Sequence, residues 1–203
     1  TYFFRNEPQF SALENIIAPE LLKAKMNQPV KKFRLWSAAS SSGEEAYTLA
    51  MIILEQFKPR YPSIQFEVVG TDISPAVIAK AETGVYQEYA IKNMPAYYLK
   101  KYFTRDSSGS YVVNSEVRNL VRFSRLNLYD NAAMRMMNTF DIIFCCNVLI
   151  YFDQQSKQQV IAHLYDSLNH GGYLFIGYSE SLHGISKAFN IVHFPKTIAY
   201  KKE

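Results

Sequence analysis

The chain has 203 residues, 48% of them hydrophobic, which suffices for one sizeable core and leaves room for a small insertion in one main domain. A formal net charge of +4 permits an acidic partner surface but is too mild to indicate nucleic acid. No apolar stretch approaches the roughly 20 residues that span a bilayer, and the opening Thr1-Tyr2-Phe3-Phe4-Arg5 lacks a signal-peptide layout, so a cytoplasmic protein that is not membrane-inserted is expected.

In chain order, short apolar runs alternate with segments of helical period between Phe33 and Gly177, the pattern of an α/β domain with a largely parallel sheet. Strands are expected over 33–38, 66–70, 140–146 and 173–176. The third of these is almost continuously apolar, as suits a central strand covered on both faces. After Gly43, residues Ala46, Leu49, Ala50, Ile53, Leu54 and Phe57 form one helical stripe. A second stripe, Val160, Ile161, Leu164, Tyr165 and Leu168, starts behind an Asp153 N-cap and is expected to stop at Gly171-Gly172. The rhythm breaks over about 103–126, where Asp106-Ser107-Ser108-Gly109-Ser110 is turn chemistry between strand-like runs, so a small antiparallel insertion is expected there. The last segment, 191–200, carries Pro195-Lys196 between two apolar runs and reads as a terminal antiparallel hairpin.

Four places could carry chemistry. The loop Ala38-Ala39-Ser40-Ser41-Ser42-Gly43-Glu44-Glu45 has small side chains that let a ligand approach the backbone, and it feeds a helix N-terminus. Ala38 is counted with the cofactor-binding residues on that ground. The loop lacks G-x-G-x-x-G, which disfavours a dinucleotide, and its serines and glutamates would equally serve as helix caps. Asp72, at the end of the second strand, could accept both hydroxyls of a ribose, or it or Ser74 could cap the helix opening at Pro75. Asn127 and Leu128 set a polar and an apolar side chain together, suited to an adenine or to a turn with an Asx hydrogen bond. Asn147 and Tyr151 follow the central strand at its carboxyl end, where open α/β sheets bind ligands, although a tyrosine there can also be simply packed. The adjacent Cys145 and Cys146 suit neither a redox pair nor a metal site, and no metal is expected.

Together, Thr1-Tyr2-Phe3-Phe4-Arg5, the run from Trp36 to Glu45, Thr71-Asp72-Ile73-Ser74 and the run from Cys146 to Asp153 resemble the motifs of CheR-type chemotaxis-receptor glutamate O-methyltransferases across essentially the whole chain. The resemblance implies a Rossmann-like class I methyltransferase sheet, mostly parallel with a terminal antiparallel strand, plus the small antiparallel β insertion. It implies S-adenosylmethionine as cofactor and S-adenosylhomocysteine as product. Thr1 and Arg5 would then hold the methionine end of the cofactor, Glu45 its amino group, Asp72 the ribose, and Asn127 with Leu128 the adenine. Asn147 and Val148 would lie near the cofactor, and Arg5 and Tyr151 beside the transferred methyl. The implied partner is the cytoplasmic helical region of chemoreceptors, with no nucleic acid and a monomeric enzyme. Residues 1–203 would form the methyltransferase domain without the helical domain that precedes it in the family. Ala46, Cys146 and Tyr178 stand where the family usually has proline, arginine and histidine. A methyltransferase for another substrate and a non-catalytic module that senses the cofactor are the competing readings.

Overall fold

In a computed structural model, which describes residues 1–137 and 139–203, the chain forms a seven-stranded sheet with helices on both faces and a separate three-stranded antiparallel sheet. Helices α1 (Glu7–Ala12) and α2 (Ala18–Lys25), joined through a π-helical turn at Leu13–Ile17, precede β1 (Lys32–Ala38), α3 (Glu44–Ile52), β2 (Gln65–Asp72) and α4 (Pro75–Thr83). The small sheet takes β3 (Val85–Tyr86), β4 (Phe103–Arg105) and β5 (Tyr111–Val113), with α5 (Ala96–Tyr102) between β3 and β4. The chain then passes through α6 (Ser115–Arg118), β6 (Val121–Arg125), α7 (Asn131–Arg135), β7 (Phe140–Cys145), α8 (Gln154–Asp166) and β8 (Leu168–Ile176). It closes with the hairpin β9 (Asn190–Phe194) and β10 (Thr197–Lys201).

The main sheet has the order β6-β2-β1-β7-β8-β10-β9. The pairs from β6 to β8 are parallel, and β10 runs antiparallel to β8. Successive side chains of a strand face opposite ways, and the buried residues divide accordingly. Ile142 and Phe144 enter one core, and Ile143 and Cys145 the other. Every residue of β7 is buried, including Asp141, as its apolar run requires of a strand covered on both faces.

Two expectations are corrected. The small sheet is displaced from 103–126: it begins at Val85, and Val121–Arg125 is instead a parallel edge strand of the main sheet. Two-residue β3 is too short to show a period, and alternation in the sequence does not say which sheet a strand joins. Helix α8 ends at Asp166, and Gly171-Gly172 lie within β8 at an irregularity in its pairing with β7. Helix α3 keeps its expected stripe buried and buries nearly its whole circumference, because α6, the Phe4 segment and Tyr86 of the small sheet also pack on it. Asp153 does cap α8, accepting the Ser156 N–H at 2.8 Å.

Gly70 on β2 is required by packing, since a Cβ there would lie 2.5 Å from the Phe123 ring. Asp141 holds the amino-terminal part of the sheet. Its carboxylate pairs with Lys25 at 2.8 Å and accepts the Arg34 N–H at 2.8 Å and the Asn169 amide at 3.0 Å. Asp141→Ala strands these donors, and we expect it to cost about 3 kcal/mol, read as a lowered urea midpoint with an unchanged slope.

Candidate active site at the strand ends

The register sets the five parallel strands level. Ala38 pairs with Thr71, Asp72 with Arg125, and Cys145 with Ile176. Every loop that follows these strands emerges at one edge. The connection that leaves β1 runs to β2 on one side and the one that leaves β7 runs to β8 on the other, so a crevice opens between the ends of β1 and β7.

A cavity of about 440 Å³ fills that crevice, within the range of small-molecule and cofactor sites. Thr1, Arg5, Glu45, Asp72, Asn127, Leu128, Asn147, Val148 and Tyr151 all line it. Ala38 does not. It is the last residue of β1, fully buried in the core that holds Trp36. The chain turns outward one residue later, and Ala39, Ser40 and Ser41 form that wall. The small-residue loop thus reaches the cavity from Ala39 onward, one position after Ala38.

Four non-glycine residues of the lining have left-handed backbone: Phe4 (φ 55°), Ala39 (61°), Ser41 (51°) and Asn147 (60°). Each such position costs on the order of 1–3 kcal/mol and persists only where its surroundings fix it. At Phe4 those surroundings are aromatic. Phe3 is fully buried against Tyr86 and Phe103, and Phe4 packs on Phe10 and Tyr98. The two phenylalanines anchor the segment, while Thr1 and Arg5 on either side face the cavity.

Asp72 serves two ends. Its carboxylate accepts the N–H groups of Ser41 and Ser74, each at 3.0 Å, which ties together the loops after β1 and β2. A carboxylate has about four lone-pair sites, so acceptor capacity remains for a ligand's hydroxyls. Ser74 sits at the N-cap of α4 without a side-chain capping bond. On the next loop, the Asn127 side chain accepts the Tyr129 N–H at 3.0 Å, an Asx turn, between the buried Leu126 and Leu128. His163 on α8 supports this loop from behind, its Nδ1 lying 2.8 Å from the Leu128 carbonyl oxygen.

Burial pushes the Glu45 carboxyl up to about 7, against the opposing effects of the Ser37 hydroxyl bond, the Arg5 charge and Cys146. The Ser37 Oγ donates to it at 2.7 Å. Burial likewise raises both cysteine thiols well above their ordinary value, which keeps them neutral. Among the described residues, no group of three or more His, Cys, Asp or Glu side chains could hold a metal ion, and no helix is long and apolar enough to cross a membrane.

The donor set fits an adenosyl sulfonium. Ser40 lines the cavity, but its Oγ is buried toward Gly70 of β2 without a hydrogen-bond partner among the described residues. Glu45 and Asp72 both line the cavity, and the Asp72 carboxylate keeps acceptor capacity beyond its two backbone bonds.

The family model for the CheR methyltransferase SAM-binding domain matches residues 1–198. The chain belongs to this CheR family. Its relatives include chemotaxis protein methyltransferase 2 of Vibrio cholerae, 37% identical over all of this chain and 69% of that protein. A chemotaxis protein methyltransferase of Vibrio parahaemolyticus is 40% identical over 99% of this chain and 71% of its own length. Among solved structures, a TehB-like SAM-dependent methyltransferase from Corynebacterium glutamicum superposes with a TM-score of 0.51 over 98% of this chain and 95% of the other, at 14% identity, and so shares the fold. This CheR chain is thus a methyltransferase domain of class I architecture that uses S-adenosylmethionine.

Assigning the ligand's ammonium to Glu45 predicts a pH dependence. In the free protein Glu45 titrates near 7, and a cation beside it lowers that value. Binding therefore releases a proton at and below about pH 7, and S-adenosylhomocysteine affinity should rise from about pH 6 to about pH 8. Calorimetry in buffers of different ionisation enthalpy checks this, and Glu45→Gln should flatten the profile. Without ligand the folded state holds this proton more tightly than the unfolded chain. That contribution to stability is full below about pH 4.5 and is lost as the pH rises through about 7.

Proposed function

We propose that this chain transfers the methyl group of S-adenosylmethionine to glutamate side-chain carboxylates in the cytoplasmic helical region of chemoreceptors. The observation that carries this reading is the convergence of Arg5, Asn147 and Tyr151 on one cavity whose lining thiol, Cys146, is held neutral by burial and whose raised carboxylate is Glu45, so that among the described residues no dedicated general base lines it. The names of the relatives, methyltransferases of chemotaxis, support it.

When bound, the cofactor supplies an activated methyl on sulfur. A glutamate oxygen forms the new bond to the methyl carbon while the carbon–sulfur electron pair returns to sulfur, giving a methyl ester and S-adenosylhomocysteine. A solvated glutamate side chain titrates at about 4.3, so the nucleophile is already ionised at neutral pH. What remains for the protein is alignment, charge placement and exclusion of water.

Arg5 is exposed at the mouth, its guanidinium 5.9 Å from the Tyr2 ring centroid, and it can hold a carboxylate by two parallel hydrogen bonds. That carboxylate is the substrate's or the cofactor's own. Tyr151, which lines the same cavity and is 80% exposed, is free to present its ring to a sulfonium or its hydroxyl to the incoming carboxylate. In this reading Thr1 and Arg5 hold the methionine end, Asp72 the ribose, and Asn127 and Leu128 the adenine, while Asn147 and Val148 lie near the cofactor. The enzyme is cytoplasmic, acts as a monomer, and uses residues 1–203 as its methyltransferase domain.

The test uses cofactor labelled in the methyl group and a purified chemoreceptor cytoplasmic fragment, with label released as methanol by mild base. We expect Arg5→Ala to lower kcat/KM about a hundredfold and Tyr151→Phe about tenfold, equal to losses of about 2.7 and 1.4 kcal/mol. Cofactor binding with no base-labile methyl on the receptor would instead mark a sensor module or an enzyme for another substrate.

A further inference from the structure

We infer that Glu180 is a positioning residue: its carboxylate fixes the Asn147–Tyr151 loop against the end of β8 and thereby sets Asn147 and Tyr151 on the cavity. The inference rests on the reading that the cofactor occupies that cavity.

Glu180 lies 33 residues from Asn147 in sequence, on the turn that follows β8, where its own N–H bonds the Gly177 carbonyl at 2.9 Å. Its side chain reaches to the neighbouring strand end. Oε2 accepts the Gly177 N–H at 2.7 Å and the Asn147 N–H at 2.9 Å, while Oε1 lies 3.3 Å from the Ile150 nitrogen. One carboxylate thus takes three backbone N–H groups from two loops. Bonds to an ionised acceptor are about twice as strong as neutral ones.

The loop needs this support. Asn147 is left-handed, and Ile150 and Tyr151 are 60% and 80% exposed, so few packing contacts hold them. The bonds from Tyr151 N to Val148 O and from Phe152 N to Leu149 O lie inside the turn and cannot orient it. Of residues 147–151, Leu149 is buried in the core and half-buried Val148 packs against it, while Ile150 and Tyr151 stay outside. The approach is close enough to require glycine at 177. A Cβ there would lie 2.7 Å from Glu180 Oε2 and 2.8 Å from Asn147 Oδ1. Glu180 does not itself line the cavity, so its influence on ligand passes through the loop.

Three expectations separate positioning from general stability, all read by calorimetric titration of the intact protein with S-adenosylhomocysteine. Glu180→Ala should weaken binding about tenfold, whereas Glu180→Gln, which keeps an acceptor for Gly177 and Asn147, should weaken it only about threefold. In a double-mutant cycle, Glu180→Ala added to Asn147→Gly should cost little more than Asn147→Gly alone, because both act through one loop. Added to Asp72→Ala, at a different strand end, it should cost its full amount. Glu180→Gln carries the same cycles if the alanine variant fails to unfold cooperatively.

Binding within about twofold of wild type in both Glu180 variants, or full additivity with Asn147→Gly, overturns the inference. Wild-type protein that does not bind the ligand, or Asp72→Ala that binds as wild type does, instead overturns the reading of the cavity. The two failures are therefore distinguishable.

Discussion

The level register of the parallel strands is the constraint on which the site depends. Because Ala38, Asp72, Arg125, Cys145 and Ile176 end at one edge, loops far apart in sequence open onto one crevice. That register follows from burial on both faces. Shifting a strand such as β7 by one residue would exchange Ile142 and Phe144 with Ile143 and Cys145 between the two cores. The same shift would carry Asn147 away from the cavity. Packing in the sheet therefore sets the positions of groups that do not themselves pack.

At the edge the cost appears as backbone conformation. Left-handed residues occur on three separate segments of the cavity lining, and different forces hold each one. Aromatic packing holds Phe4 and a carboxylate holds Asn147. Ser41 is held by the side chain of Asp72 and, one residue on, by the Tyr86 hydroxyl donating to the Ser42 carbonyl at 2.6 Å. Tyr86 belongs to the small antiparallel sheet, so that sheet supports the loop after β1 as well as covering α3.

Much of this was legible in sequence because its causes are local. The apolar run at 140–146, the 3.6-residue stripes and the small-residue loop each act through neighbours a few positions away. The errors share the opposite property. Val121–Arg125 has the composition of any short strand, and only its partner, β2, places it in the main sheet. Ala38 and Ala39 are chemically identical, and the difference between core and cavity wall is where β1 ends. What Glu180 holds has no local signal either: its contacts with Asn147 and Ile150 reach 33 and 30 residues back, and only the fold brings that loop against it.

The chemistry also explains why the cavity can be built largely from backbone and rim residues. A reaction that required proton abstraction would need a base tuned near neutral pH and held at the reacting atom. Here the group titrating near neutrality, Glu45, is bonded by Ser37 and opposed by Arg5, an arrangement suited to meeting a cation rather than to taking a proton from a substrate. The neutral thiols of Cys145 and Cys146 offer no competing nucleophile to an activated methyl. For the proposed glutamate nucleophile, ionised before it arrives, catalytic power would reduce to distance and angle. In that proposal both are set by the elements that fix Arg5 and Tyr151, namely the buried phenylalanines beside one and the carboxylate-bound loop beneath the other.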